Sequence, residues 1–239
     1  MDNKTKIIEA LAGRLMKLDS VHAMWLEGSL AEKDNDQYSD LDIWISVDND
    51  KLRSIYRDVE SALETIAPID FKLELKPNGE LGHNVYHLDG TSEFLTLDIN
   101  TQKLSRDIVL REGIDIHETI FDKSGVIRIM SREPIDFDKE AQLAELLKFI
   151  DYTLLSVKKN ALRGKKMESH EYYRNILVRV LGYLRSKAGI SEKADFDFKH
   201  VYKDIPREEV AKLEEYYFAD VKDETIESLK SWLKSLEPL

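Results

Sequence analysis

Residues 39–47 read SDLDIWISV. Leu41, Ile43 and Ile45 alternate with Asp40, Asp42 and Trp44, the period-two pattern of a strand with one apolar face. Asp40 and Asp42 therefore share the opposite face, with α-carbons about 6.6 Å apart. Like charges this close at the edge of a core are costly unless something positive lies between them. A chain with this segment must build a sheet in which one face carries concentrated negative charge.

The surroundings extend the pattern. An apolar run over residues 21–26 ends at Gly28-Ser29, and a polar loop over residues 31–39 leads to the aspartate pair. Ile7, Ile8, Leu11, Leu15 and Leu18 recur at helical spacing in residues 3–18, and residues 51–66 carry a second such stripe ending before Pro68. IDFKLELK alternates Ile69, Phe71, Leu73 and Leu75 with polar residues, which predicts a half-buried strand. KPNGELG predicts a turn. NVYHL and EFLTLDIN predict two strands joined near Asp89-Gly90, and residues 118–130 predict a hairpin turning at residues 123–125. After Pro134 strand patterns give way to helical periodicity in residues 138–160, 169–187, 206–218 and 223–236. The expected architecture is α+β: a mixed sheet with packed helices over residues 1–135, then a helical, bundle-like domain over residues 136–239.

Composition narrows the chemistry. The 239 residues include no cysteine, which removes disulfides, thiolate nucleophiles and zinc–cysteine sites. Apolar runs are too short to span a membrane, and residues 1–15 lack a signal-peptide core, so a cytoplasmic location is expected. The formal net charge is −11, with basic residues interspersed among acids. That disfavours a long nucleic acid, which needs a basic stripe, and suits a small or cationic substrate.

A third carboxylate belongs with the pair. Asp98 lies between Leu97 and Ile99 and faces away from the apolar side of its strand. Three aspartates on one sheet face call for divalent cations, and hard oxygen ligands favour Mg²⁺ over zinc. Mg²⁺ held by carboxylates completes its shell with water and phosphate oxygens, which points to a nucleoside triphosphate. Gly28-Ser29 suits a phosphate anchor: the glycine lets backbone approach an oxyanion, and the serine supplies a hydroxyl and an amide. Two ions about 3.5–4 Å apart would clamp the attacking and leaving oxygens of an in-line displacement. His83 and His87 are expected as a turn residue and a strand-surface residue rather than ligands.

Gly28-Ser29, ten residues, Asp40-Leu41-Asp42 and a later apolar-Asp-apolar strand at Asp98 together resemble the signature of the DNA polymerase β-like nucleotidyltransferase superfamily. The SDLDIW form resembles its small bacterial members, among them aminoglycoside and lincosamide nucleotidyltransferases. The likeness spans residues 20–100 most clearly. Residues 161–185, with an Arg-Gly pair between helical stretches, resemble more faintly the helical domain that closes the substrate cleft in those members.

The resemblance implies roles. Asp40 and Asp42 would bind Mg²⁺ and through it the triphosphate. Gly28 and Ser29 would hold the β- and γ-phosphates. Asp98 would complete the metal site and accept the acceptor's proton, and Ser39 would add a hydroxyl to the phosphate or metal shell. The implied reaction moves a nucleoside monophosphate, AMP from ATP, to a hydroxyl of a small acceptor such as an antibiotic. A protein or tRNA acceptor, and a non-catalytic nucleotide- or partner-binding module, are the alternatives.

Overall fold

The computed structural model describes residues 2–75, 79–113, 115–131, 137–190 and 197–236. The chain divides into two compact units, Met1–Arg132 and Glu133–Leu239. The boundary expected near residue 135 lies outside the described residues, as does the start of the KPNGELG turn. Among the described residues no helix is long and apolar enough to cross a membrane.

The first unit is built on a six-stranded mixed sheet in the order β3-β4-β5-β2-β1-β7. Its strands are β1 (Val21–Glu27), β2 (Leu41–Val47), β3 (Ile69–Leu75), β4 (Leu81–Leu88), β5 (Leu97–Lys103) and β7 (Glu118–Asp122). All neighbours are antiparallel except β2 and β5, which run parallel. Helices α1 (Asn3–Leu15) and α3 (Tyr56–Leu63) cover one face, with the short α2 (Gly28–Ala31) between β1 and β2. Asp2 caps α1 by accepting from Thr5 N at 2.7 Å. Ile7, Leu11 and Leu15 of α1 and Val59 and Leu63 of α3 meet Leu41, Ile43, Ile45, Leu97 and Ile99 in the main core. Each such buried aliphatic side chain contributes about 1.5–3 kcal/mol.

Three strand expectations change. Residues 118–130 form no hairpin: β7 pairs with β1, while β8 (Ile127–Met130) pairs in parallel with β6 (Ile108–Arg111) in a separate two-stranded sheet. The cause is Asp122, whose carboxylate accepts from the backbone N–H groups of Ser124, Val126 and Ile127 and turns the chain out of the ladder. Residues 93–96 of EFLTLDIN precede β5 in a turn, in which Leu95 N donates to Ser92 O at 2.8 Å. Finally, β3 is an edge strand and its alternating apolar residues stay exposed, Phe71 at 50 %, Leu73 at 45 % and Leu75 at 40 %. They lie on the sheet face away from α1 and α3, whereas Lys72 points to the helix side and pairs with Glu60 at 2.8 Å.

The second unit is helical: α4 (Lys139–Leu162), α5 (Lys166–Lys187), α6 (Val201–Asp204), α7 (Arg207–Tyr217) and α8 (Asp223–Ser235). Arg163-Gly164 separates α4 from α5, and Gly164 takes φ +71°, the left-handed conformation that ends helices. Leu146, Ile150, Ile176, Val180, Leu213, Ile226 and Leu229 are among the residues of its core. Inside it, Arg185 donates to Asp204 Oδ2 at 2.8 Å and to the Asp197 carbonyl at 2.7 Å.

Candidate active site

Strand register aligns the acidic residues. Across the sheet one transverse row runs Glu27 (β1), Asp42 (β2), Asp98 (β5), Val85 (β4) and Leu73 (β3), each opposite the next. The neighbouring row runs Trp25, Trp44, Asn100, His83 and Leu75. Residues opposite one another share a face, so all ten side chains belong to the face that the α1–α3 layer leaves uncovered. At the β1–β2 end this face is closed: Trp25 and Trp44 stack at 5.8 Å and pack with Ile108, Leu110 and Ile127 of the small sheet. At the β4–β3 end it is open. The carboxylates sit between the two.

Asp40, Asp42 and Asp98 each offer an oxygen within 4.8 Å of the others. Oxygens on one Mg²⁺ at 2.0–2.1 Å are separated by at most about 4 Å, so small side-chain movements bring this set to one ion. Burial pushes Asp42 up to about 6, aided by the charges of Asp40, Asp98 and Glu27 and opposed by His83. Glu27 is also raised by burial, although Trp25 Nε1 donates to its Oε1 at 2.8 Å. The protein thus holds carboxylates against their preference for solvent, a state that a divalent cation relieves.

Gly28 and Ser29 join the same place. Gly28 takes φ +69°, and a Cβ there would lie 2.0 Å from Asp42 Oδ2. Only glycine permits the Asp42 carboxylate to lie against this backbone. The Ser29 hydroxyl is buried and has no hydrogen-bond partner among the described residues. A buried hydroxyl left open costs free energy unless a ligand satisfies it. Both observations fit a cation on the aspartates with an oxyanion beside Ser29.

Ser39 is occupied otherwise. Its Oγ donates to Asp36 Oδ1 at 3.0 Å and accepts from Asp36 N at 2.9 Å, locking the loop that delivers Asp40. Two residues were not anticipated in the site. His83 lies inside β4, and its Nε2 is 3.1 Å from Asp98 Oδ1. Glu27 stands opposite Asp42. The alternation His83, Val85, His87 carries the signal for the first, once the strand NVYHL is extended by one residue towards its start. For Glu27 the signal was its odd position in β1. His87 is removed from the cluster and binds Asp70 at 2.7 Å.

Residues 8–81 match the family model of the nucleotidyltransferase domain. The first unit carries a nucleotidyltransferase domain. The match takes in Gly28, Ser29, Asp40 and Asp42 and ends at the first residue of β4; it bears out the superfamily resemblance. No curated protein matches. Among solved structures, an aminoglycoside 6-adenyltransferase from Bacillus subtilis is 11 % identical, with 98 % of this chain and 90 % of that chain covered and a TM-score of 0.35. A spectinomycin adenyltransferase, AAD(9), from Enterococcus faecialis, solved with ATP and spectinomycin, is also 11 % identical, with 96 % and 99 % covered and a TM-score of 0.34. These likenesses are distant and decide nothing about substrate.

Proposed function

We propose that this nucleotidyltransferase moves AMP from ATP to a hydroxyl group of a small acceptor and releases pyrophosphate. The observation that carries the reading is the cluster of Asp40, Asp42 and Asp98 beside Gly28-Ser29, all but Asp98 within the residues that match the nucleotidyltransferase domain. Asp40, Asp42 and Asp98 would hold Mg²⁺. When bound, Mg²⁺ neutralises the carboxylates and draws negative charge from the phosphate oxygens. The Ser29 hydroxyl donates to a phosphate oxygen, and Gly28 keeps the backbone clear for the Asp42 carboxylate. The acceptor oxygen attacks the α-phosphorus as the bond to the β-phosphate breaks. Asp98 takes the acceptor's proton, and pyrophosphate departs with the electrons of the broken bond. Most of the acceleration comes from positioning and electrostatics rather than covalent chemistry.

The net charge of −11 supports a cationic acceptor over an RNA. An aminoglycoside-type antibiotic is the acceptor class we propose, with the cytoplasm as the place of action. The test is pyrophosphate release from each of the four NTPs with Mg²⁺, screened over hydroxylated antibiotics and metabolites. ATP with one acceptor should give turnover, and Asp42→Asn should lower it at least about a thousandfold. Normal turnover by that variant sinks the metal assignment. Mg²⁺-dependent ATP binding without turnover on any small acceptor moves the reading to a protein acceptor or a binding module.

A further inference from the structure

Asp40 and Asp42 are held two residues apart by the chain itself. Asp98 arrives on another strand, and register places only its backbone opposite Asp42. The orientation of its carboxylate depends on what the side chain touches. It touches His83, with Nε2 3.1 Å from Oδ1. On β4 the residue opposite Asp98 is Val85, so His83 is the diagonal neighbour, a position that long side chains reach. In the tautomer that carries its proton on Nε2, the ring donates to Asp98 Oδ1. The ring stands between Asn100 on β5 and Leu75 on β3, its opposite numbers in the sheet. Both partners are part-buried, at 36 % and 28 % side-chain exposure, which leaves the contact open to a ligand yet partly shielded from water.

We infer that His83 is a positioning residue: by donating from Nε2 to one Asp98 oxygen, it fixes the carboxylate and leaves the other oxygen for the cation. The inference rests on the proposed function and extends it to a residue outside the aspartate set. Free rotation of Asp98 would spread its two oxygens over orientations that do not face Asp40 and Asp42. Outer partners that orient ligand side chains in metal sites are commonly worth about 10–100-fold in affinity. Two other roles for His83 make different predictions. A direct ligand would act on the ion without Asp98, and a plain surface histidine would act on nothing.

The experiment titrates the metal-free full-length chain with Mg²⁺ and with Mn²⁺ by calorimetry. It compares wild type, His83→Ala, His83→Gln, Asp98→Asn and the His83→Ala/Asp98→Asn pair, and records the metal-free thermal midpoint of each. His83→Ala should weaken binding about tenfold or more while leaving the midpoint within a few degrees. His83→Gln, whose amide still donates, should recover most of the loss. In the Asp98→Asn background His83→Ala should add nothing, because interacting residues are not additive. Unchanged affinity in His83→Ala overturns the inference. So does an equal loss in the Asp98→Asn background, which makes His83 a ligand, and so does a failure of Gln to recover binding. If His83→Ala does not fold, the comparison of His83→Gln with wild type decides, near-equality upholding the role and a tenfold loss refuting it. A wild-type chain that binds neither ion removes the proposed function and this inference together; wild-type binding with an indifferent His83 removes this inference alone.

Discussion

Asp42 is the residue on which the site turns. Half-buried among Asp40, Asp98 and Glu27, its carboxyl is pushed up to about 6 from 3.8. The folded chain therefore holds this proton more tightly than the unfolded chain does. Without metal, stability falls as pH rises from about 4 through 6 and stays lower above that. A full shift of this size corresponds to about 3 kcal/mol, and partial solvation reduces it to about 1–2 kcal/mol. Asp42→Asn should therefore unfold at higher urea than wild type at pH 8, by about 1–2 kcal/mol, and show no such gain at pH 4. The same variant should lack turnover. A stabilised but inactive protein is the signature of a site kept under strain for its function. Gly28→Ala tests the site from beneath. Its Cβ would meet Asp42 Oδ2 at 2.0 Å, and φ +69° disfavours any side chain, by about 1–2 kcal/mol. The expected result is a lower thermal midpoint and Mg²⁺ binding weakened at least about tenfold, since the carboxylate must move.

At the scale of elements, the strands that position the carboxylates depend on how the chain leaves β7. Asp122 satisfies three backbone donors there, those of Ser124, Val126 and Ile127. Asp122→Ala leaves them without that acceptor and should cost about 1–3 kcal/mol in urea unfolding, with Asp122→Asn intermediate. This element also marks where sequence reading stops. β2 and the acidic face were legible because alternation in LDIWISV is local and because Asp40, Asp42 and Asp98 break apolar runs. The hairpin expected over residues 118–130 failed because alternation shows that two segments are strands, not which partners they take. One aspartate side chain, acting through backbone N–H groups, redirected the second segment to β6. β3 shows the complementary limit. Its alternation was read correctly, but the pattern does not say which face is covered, and Phe71, Leu73 and Leu75 prove to share the open face with Asp98. His83 reads as a turn residue for the same reason: its meaning comes from a diagonal contact between strands, with a partner fifteen residues away in sequence.

On the scale of the whole molecule, two units each carry their own apolar core, and the chemistry identified so far belongs to the first. What the entire chain adds is charge. The net charge of −11 includes a cluster that is itself negative, so the remaining acids would raise the local concentration of cations while the three aspartates would hold one in place. These two contributions respond differently to salt. At about 0.1 M ionic strength the screening length is about 10 Å, so remote surface charges are damped while contacts inside the part-buried cluster persist. Raising monovalent salt from about 0.05 M to about 0.5 M should weaken Mg²⁺ binding several-fold without abolishing it. Asp42→Asn should retain only weak binding, lost altogether over the same range. Complete loss in the wild-type chain would make the ion part of a diffuse atmosphere and would leave Asp40, Asp42 and Asp98 without a specific role. An affinity indifferent to salt would confine the whole effect to the cluster and remove the chain's acidity as a reason to expect a cationic acceptor.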